Sequence, residues 1–197
     1  MNFRNVKSVY TVCCIVLCLV LLAPALDIIL PSPGSEKFSE LWILGPGHKM
    51  EGYPYNIFPE TDYHVFLGVS NQMGSLEYYL VRVKLANQSD SLPDKSAGIP
   101  SSLPTAYEYR LFVENNATLE TDFSFSFNDI SFEGNVGRIS ALTINGKAIN
   151  VSKPVTRDAS DNGFHYTIFF ELWIYNSTIS NFQFHDRSVG FRIVVNR

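Results

Sequence analysis

Thr121-Asp122-Phe123-Ser124-Phe125-Ser126-Phe127-Asn128 sets three phenylalanines at every second position with serines between them. A period of two is that of a β-strand, whose successive side chains point to opposite faces. Phe123, Phe125 and Phe127 therefore enter a core, and Ser124 and Ser126 face water. Working outward, the same reading predicts strands over 38–45, 62–71, 76–86, 107–115, 121–128, 138–144, 164–175 and 189–195. Turn residues separate them. Gly45-Pro46-Gly47 and Asp161-Asn162-Gly163 break the chain, and Asn145-Gly146 is a tight-turn dipeptide that puts Ile144 and Ala148 on the arms of a hairpin. No segment of useful length follows the helical period. The fold class expected is all-β: one antiparallel, immunoglobulin-like β-sandwich, without the Cys and Trp signature of antibody domains. Residues 87–104 interrupt the pattern with Pro93, Gly98, Pro100 and Pro104, and read as a long mobile loop.

The N-terminus is of another kind. Eight of the eleven residues from Val12 to Leu22 are Val, Ile or Leu, and no charge occurs from Val9 to Leu26. A helix over those residues would reach roughly 27 Å, close to the hydrocarbon thickness of a bilayer. Arg4 and Lys7 precede it, and no basic residue follows before Lys37. The positive-inside bias then keeps residues 1–8 in the cytoplasm. Residues 9–30 become one transmembrane signal-anchor helix, 31–37 a Pro-Ser-Gly tether, and 38–197 an extracytoplasmic domain on the outer face of the cell membrane. The rival reading is a signal peptide cleaved after Ala25, in the small-x-small sequence Ala23-Pro24-Ala25, which would release a secreted domain. Both readings export the β-rich part.

Cys13, Cys14 and Cys18 all lie in the apolar segment, so the exported part has neither a disulfide nor a Cys-ligated metal. The whole chain carries a formal charge of −4. That balance argues against nucleic acid and anionic lipid as partners.

Candidate chemistry is sparse. His48, His64, His165 and His185 show no metal-ligand spacing. The turn Arg157-Asp158-Ala159-Ser160-Asp161-Asn162-Gly163 offers oxygen side chains but not the ligand order of an EF-hand. Glu40 is a carboxylate in an apolar strand, and Leu41 and Ile43 can take the opposite, buried face. No nucleophile elbow, P-loop or dinucleotide fingerprint occurs. The expectation is no catalytic residue, no metal and no cofactor. Asn87, Asn116, Asn150 and Asn176 begin Asn-x-Ser/Thr sequons, which on an exported domain are glycosylation candidates. Tyr53, Tyr55, Tyr107 and Tyr109, near turns or strand starts, are candidates for a sugar-stacking or partner surface.

Several motifs together resemble a known group. Phe38-Ser39-Glu40-Leu41-Trp42-Ile43-Leu44-Gly45, then Tyr53-Pro54, Val69-Ser70-Asn71 and Tyr79-Leu80-Val81-Arg82-Val83, are similar to the successive strands of the archaeal family called domain of unknown function 1616. Phe170-Glu171-Leu172-Trp173-Ile174-Tyr175 resembles that family's penultimate strand. Gln72-Met73 departs from the His-Glu common there, and the several membrane helices of longer members are not present in this sequence. The resemblance implies an exported, membrane-anchored β domain and assigns no activity. The function expected is that of a non-catalytic, glycosylated surface or envelope interaction module of unknown oligomeric state. The alternative is a carbohydrate-binding module in surface-glycan assembly.

Overall fold

The computed structural model describes residues 10–20, 37–160 and 163–195. Residues 10–20 are helical. Among the described residues, no helix is long and apolar enough to cross a membrane. Residue 9, residues 21–36 and Asp161-Asn162 lie outside the described residues, and with them much of the expected span, the cleavage site, nearly all of the tether and part of the 157–163 turn. The chain divides into two units, Met1–Lys37 and Phe38–Arg197.

Among the described residues, the second unit is a two-sheet β-sandwich of ten strands. They are β1 (Phe38–Leu44), β2 (Asn56–Ile57), β3 (Tyr63–Gln72), β4 (Glu77–Asn87), β5 (Tyr107–Val113), β6 (Ala117–Glu133), β7 (Val136–Ile144), β8 (Lys147–Thr156), β9 (Phe164–Asn176) and β10 (Asn181–Val195). The first sheet has the order β1-β3-β6-β7-β8 and the second β2-β10-β9-β4-β5. Every pairing is antiparallel except the short β2–β10 contact, which is parallel.

The alternation of β6 has the expected consequence for its phenylalanines, whereas Ser126, expected to face water, is buried at 6% exposure. Phe123, Phe125 and Phe127 are buried, and Phe123 meets Phe170 of the opposite sheet edge to face at 4.9 Å. Each such ring contributes about 1.5–3 kcal/mol by leaving water. Val65, Leu67 and Val69 of β3 join them from the first sheet, and Tyr79, Val81 and Val83 of β4 complete the layer from the second. Asn145 and Gly146 both have positive φ, 49° and 75°, as a two-residue hairpin with this handedness requires.

Two strands lie outside the strand ranges read from the sequence, although the Asn145-Gly146 hairpin puts Ala148 on the arm that becomes β8. β2 has only two residues. β8 is an edge strand with most of its positions exposed; Ile149, Val151 and Val155 turn inward, but Lys153 breaks the apolar series and Pro154 sits inside it. One edge between the sheets is closed by hydrogen bonds. Ser39 Oγ, fully buried on β1, shares a hydrogen bond with Tyr79 OH at 2.6 Å and another with His185 Nε2 at 3.0 Å. Arg187 Nε donates to Ser39 O at 3.1 Å. The β10 bulge between Phe184 and Arg187 brings His185 and Arg187 to β1.

Candidate functional site

The outer face of the second sheet is built as rows that run across the strands. Tyr78 of β4 pairs with Phe112 of β5, and Tyr175 of β9 pairs with Phe182 of β10. Tyr78 also touches Tyr175 and Phe182, with ring centroids 6.0 and 5.0 Å away, so the four rings form one continuous row. The next row reads Arg110, Leu80, Trp173, Phe184. The third reads Glu108, Arg82, Glu171, Ser188, and the fourth holds Lys84, Phe169 and Gly190. A Cβ at Gly190 would stand 2.7 Å from Ile168 O and from Phe169 Cβ, so no larger residue fits there without displacement.

The connection between β4 and β5 covers part of this face. It carries no strand of its own beyond the Asp94–Ile99 bridge. Instead of moving freely, it is held at Ser101, whose N–H donates to Glu171 Oε1 at 2.8 Å. Lys84 Nζ donates to Ser101 O at 2.6 Å and pairs with Glu171 Oε2 at 2.9 Å. Trp173 Nε1 donates to the same carboxylate at 3.3 Å. Lys84 and Glu171 are buried, and each is satisfied by the other and by the covering segment. Ionic groups out of water require such compensation. The expected mobile loop is therefore a fixed cover, because a buried charge pair lies under it.

The cover stops short of the aromatic row. Phe112 is 65% exposed and Tyr175 38%. Tyr78 and Phe112 stack at 4.3 Å with planes 5° apart. Phe112 is on the edge strand, so its other ring face turns off the sheet. Arg110 lies over Phe182 at 5.5 Å, and Arg82 lies over Trp173 at 4.1 Å. Arg110 NH2 and Arg82 Nε reach the two oxygens of Glu108 at 3.3 and 3.5 Å. Arg82 Nε, buried beneath, has no aligned hydrogen-bond acceptor. The arrangement is an open platform of aromatic rings and guanidinium groups, suited to stacking and to anion contact.

The four tyrosines expected to form a ligand surface do not share this face. Tyr107 and Tyr109 point inward from β5 and pack against each other at 5.1 Å. Tyr109 OH donates to Asp122 O at 2.8 Å and accepts from Asn145 Nδ2 at 2.6 Å, and burial pushes its pKa far above the usual value. Tyr53 donates to Ile43 O at 2.8 Å and stacks on Phe191. Tyr55 is 47% exposed. The rings that do line the platform come singly from four strands, so only the register between strands brings them together.

The sequons differ in setting. Asn116 and Asn150 are exposed, Asn116 in the β5–β6 turn and Asn150 on the edge strand β8. Asn87 Nδ2 donates to Pro154 O at 2.8 Å, and Asn176 Nδ2 to Gln183 Oε1 at 3.2 Å. Glu40 is exposed. His48 stacks on Phe66 at 3.7 Å with Nδ1 2.7 Å from Glu120. His165 is buried, and its Nδ1 accepts from Arg192 Nε at 3.1 Å. Asp158 Oδ1 accepts from the amide and hydroxyl of Ser160, and those hydrogen bonds lower its pKa. Among the described residues, no three His, Cys, Asp or Glu side chains gather as a metal site.

No curated protein matches the chain. Solved structures of a β-glucosidase from Listeria innocua are similar over 82% of this chain at 9% identity, with a TM-score of 0.40 for the gluconolactone complex and 0.42 for a mutant with laminaribiose. This chain spans 16% of the length of those structures. Residues 31–161 match the family model described as domain of unknown function (DUF1616), and the chain belongs to that family.

Proposed function

We propose that the protein is a non-catalytic, membrane-anchored surface module whose sandwich presents the Phe112–Tyr78–Tyr175–Phe182 row to an envelope or extracellular partner. The carrying observation is that the covering segment 88–106 is fixed over the buried ion pair yet leaves the aromatic row open. Contiguous exposed apolar surface of this kind marks a contact site in soluble domains. The strand order supports an immunoglobulin-like class: β1, β3 and β6 adjoin in one sheet, β5, β4, β9 and β10 in the other, and the β7–β8 hairpin extends the first. The Ser39 hydroxyl within reach of His185 does not argue for catalysis, because Ser39 is fully buried and meets no substrate. The apolar, uncharged run from Val9 to Leu26 supports the anchor, and the exposed sequons at Asn116 and Asn150 support glycosylation there.

Intact mass and detergent partitioning of the native protein test this reading. The expected form is uncleaved, integral to the membrane and heavier than its sequence. Recovery of a form beginning near Leu26 from the medium would overturn the anchor. A photo-crosslinking residue at position 112 that captures nothing on intact cells would overturn the contact surface.

A further inference from the structure

The aromatic platform has a charge and a shape that narrow its ligand. Arg82 and Arg110 share one carboxylate, Glu108, so the three groups leave one surplus positive charge on a chain that is otherwise acidic. Lys84 and Glu171 cancel each other under the cover and do not change that count. The open rings lie in a line across four strands. With strands about 4.8 Å apart, the row is about 14 Å long. It lies on an open sheet face, and its inner strands are already paired on both sides. The outer edges of β5 and of β10 beside Phe182 carry no strand neighbour, β2 meeting β10 only at Val194 and Val195. A linear ligand with apolar faces and an anionic substituent fits such a strip. The strip has about six contact residues, against roughly 20–30 on each side of a standard protein interface.

We propose that this face binds an acidic polysaccharide, a chain of pyranose rings bearing uronic carboxylates. The C–H faces of the sugars lie on Phe112 and Tyr175, and a carboxylate is held by Arg110. The proposal rests on the reading of the row as a contact surface and adds the class of ligand. Arg110 is the natural anion contact: its side chain is 55% exposed, it leans over Phe182, and it is held by Nη2 to Glu108 at 3.3 Å and by a long contact from Nη1 to Tyr78 OH at 3.4 Å. Arg82 is 29% exposed and lies flat on Trp173, so it contributes charge from beneath. Trp173 is half-buried beside the row and its fluorescence reports occupancy.

The test titrates full-length protein in detergent, carrying Trp42→Phe so that Trp173 is the one indole, with polygalacturonate oligomers and with neutral glucan oligomers of equal length, following Trp173 emission and a direct binding signal. Polygalacturonate is expected to bind in a salt-dependent manner, with neutral glucan weaker. Arg110→Gln is expected to lower uronate affinity about tenfold or more, as loss of a charge-assisted contact does. Phe112→Ala is expected to weaken both sugars alike. Both positions are exposed, and an unchanged thermal midpoint shows that each variant is folded. Equal binding of neutral and acidic oligomers, or uronate binding indifferent to Arg110→Gln and Phe112→Ala, overturns the proposal. Absence of sugar binding together with a protein crosslinked at position 112 on intact cells overturns the saccharide while the contact surface stands. Absence of both removes both.

Discussion

Lys84 Nζ and Glu171 Oε2 stand 2.9 Å apart on neighbouring strands, with the backbone of Ser101 bonded to each partner from above. Removing one charge strands the other where water does not reach. Glu171→Gln should therefore cost about 3–5 kcal/mol, whereas the paired change Lys84→Met with Glu171→Leu should cost much less. Denaturant midpoints of the two single variants and the double variant measure this. Equal losses in all three would show that the pair acts as packing alone.

His185 makes stability depend on pH. Burial first, and then the Arg187 guanidinium, hold its pKa below the ordinary 6.5, against the opposing pull of Asp186 and Glu77. The unfolded chain thus takes up this proton at higher pH than the folded one. The contribution is fully present above about pH 6.5 and is lost as pH falls through that value toward the folded pKa. The urea midpoint should drop between about pH 7.5 and 5.5, and His185→Gln should flatten that part of the profile. A flat profile in the unaltered protein would refute it.

The four sequons should respond unequally to substitution. Asn87 uses its amide nitrogen on Pro154 O and its oxygen on the Ser89 amide, so it ties the end of β4 to β8. Asn87→Ala should cost about 1–2 kcal/mol for these lost hydrogen bonds. Asn150→Gln should be near neutral, whereas Asn116→Gln should cost about 1 kcal/mol, because Asn116 sits at φ 60°, a left-handed conformation that favours asparagine. Thermal midpoints on enzymatically deglycosylated protein separate this effect from any glycan.

Gly68 lies beneath an indole. A Cβ there would stand 2.1 Å from Trp42 Cε2, with two further ring atoms within 2.5 Å. Gly68→Ala should push Trp42 off β3 and cost about 1–3 kcal/mol, the range for overpacking. A red-shifted emission accompanying a lower midpoint would mark the displaced ring. An unchanged spectrum would mean that the sheet, and not the indole, yields.

Much of the fold was legible because it rests on local signals. Phe123, Phe125 and Phe127 announce their strand unaided, and Asn145-Gly146 announces its turn. Only the start of β8 was legible, from the hairpin arm at Ala148. Ile149, Val151 and Val155 do face the core, but Lys153 interrupts the inward apolar series and Pro154, tolerated on an edge strand, reads as a break. The fixed cover over 88–106 escaped for another reason. Its composition is that of a loop, and what holds it is a lysine and a glutamate 87 positions apart in sequence. The aromatic row was hidden in the same way. Tyr78, Phe112, Tyr175 and Phe182 each look like ordinary strand residues, and only pairing across strands assembles them. Tyr107 and Tyr109, prominent in sequence, turn inward because the alternation of β5 puts them on the face opposite Phe112.

The Ser101 amide hydrogen sits in the most loop-like stretch of the chain and ends on a carboxylate with no access to solvent. To exchange it, the cover must lift and leave Lys84 and Glu171 facing an opening that lets water in. Its exchange rate should therefore track that of the central strands β4 and β9 rather than that of surface turns. In a time course of deuterium uptake, the Ser101 amide would be among the last sites to label, while its exposed neighbours in the same connection label early.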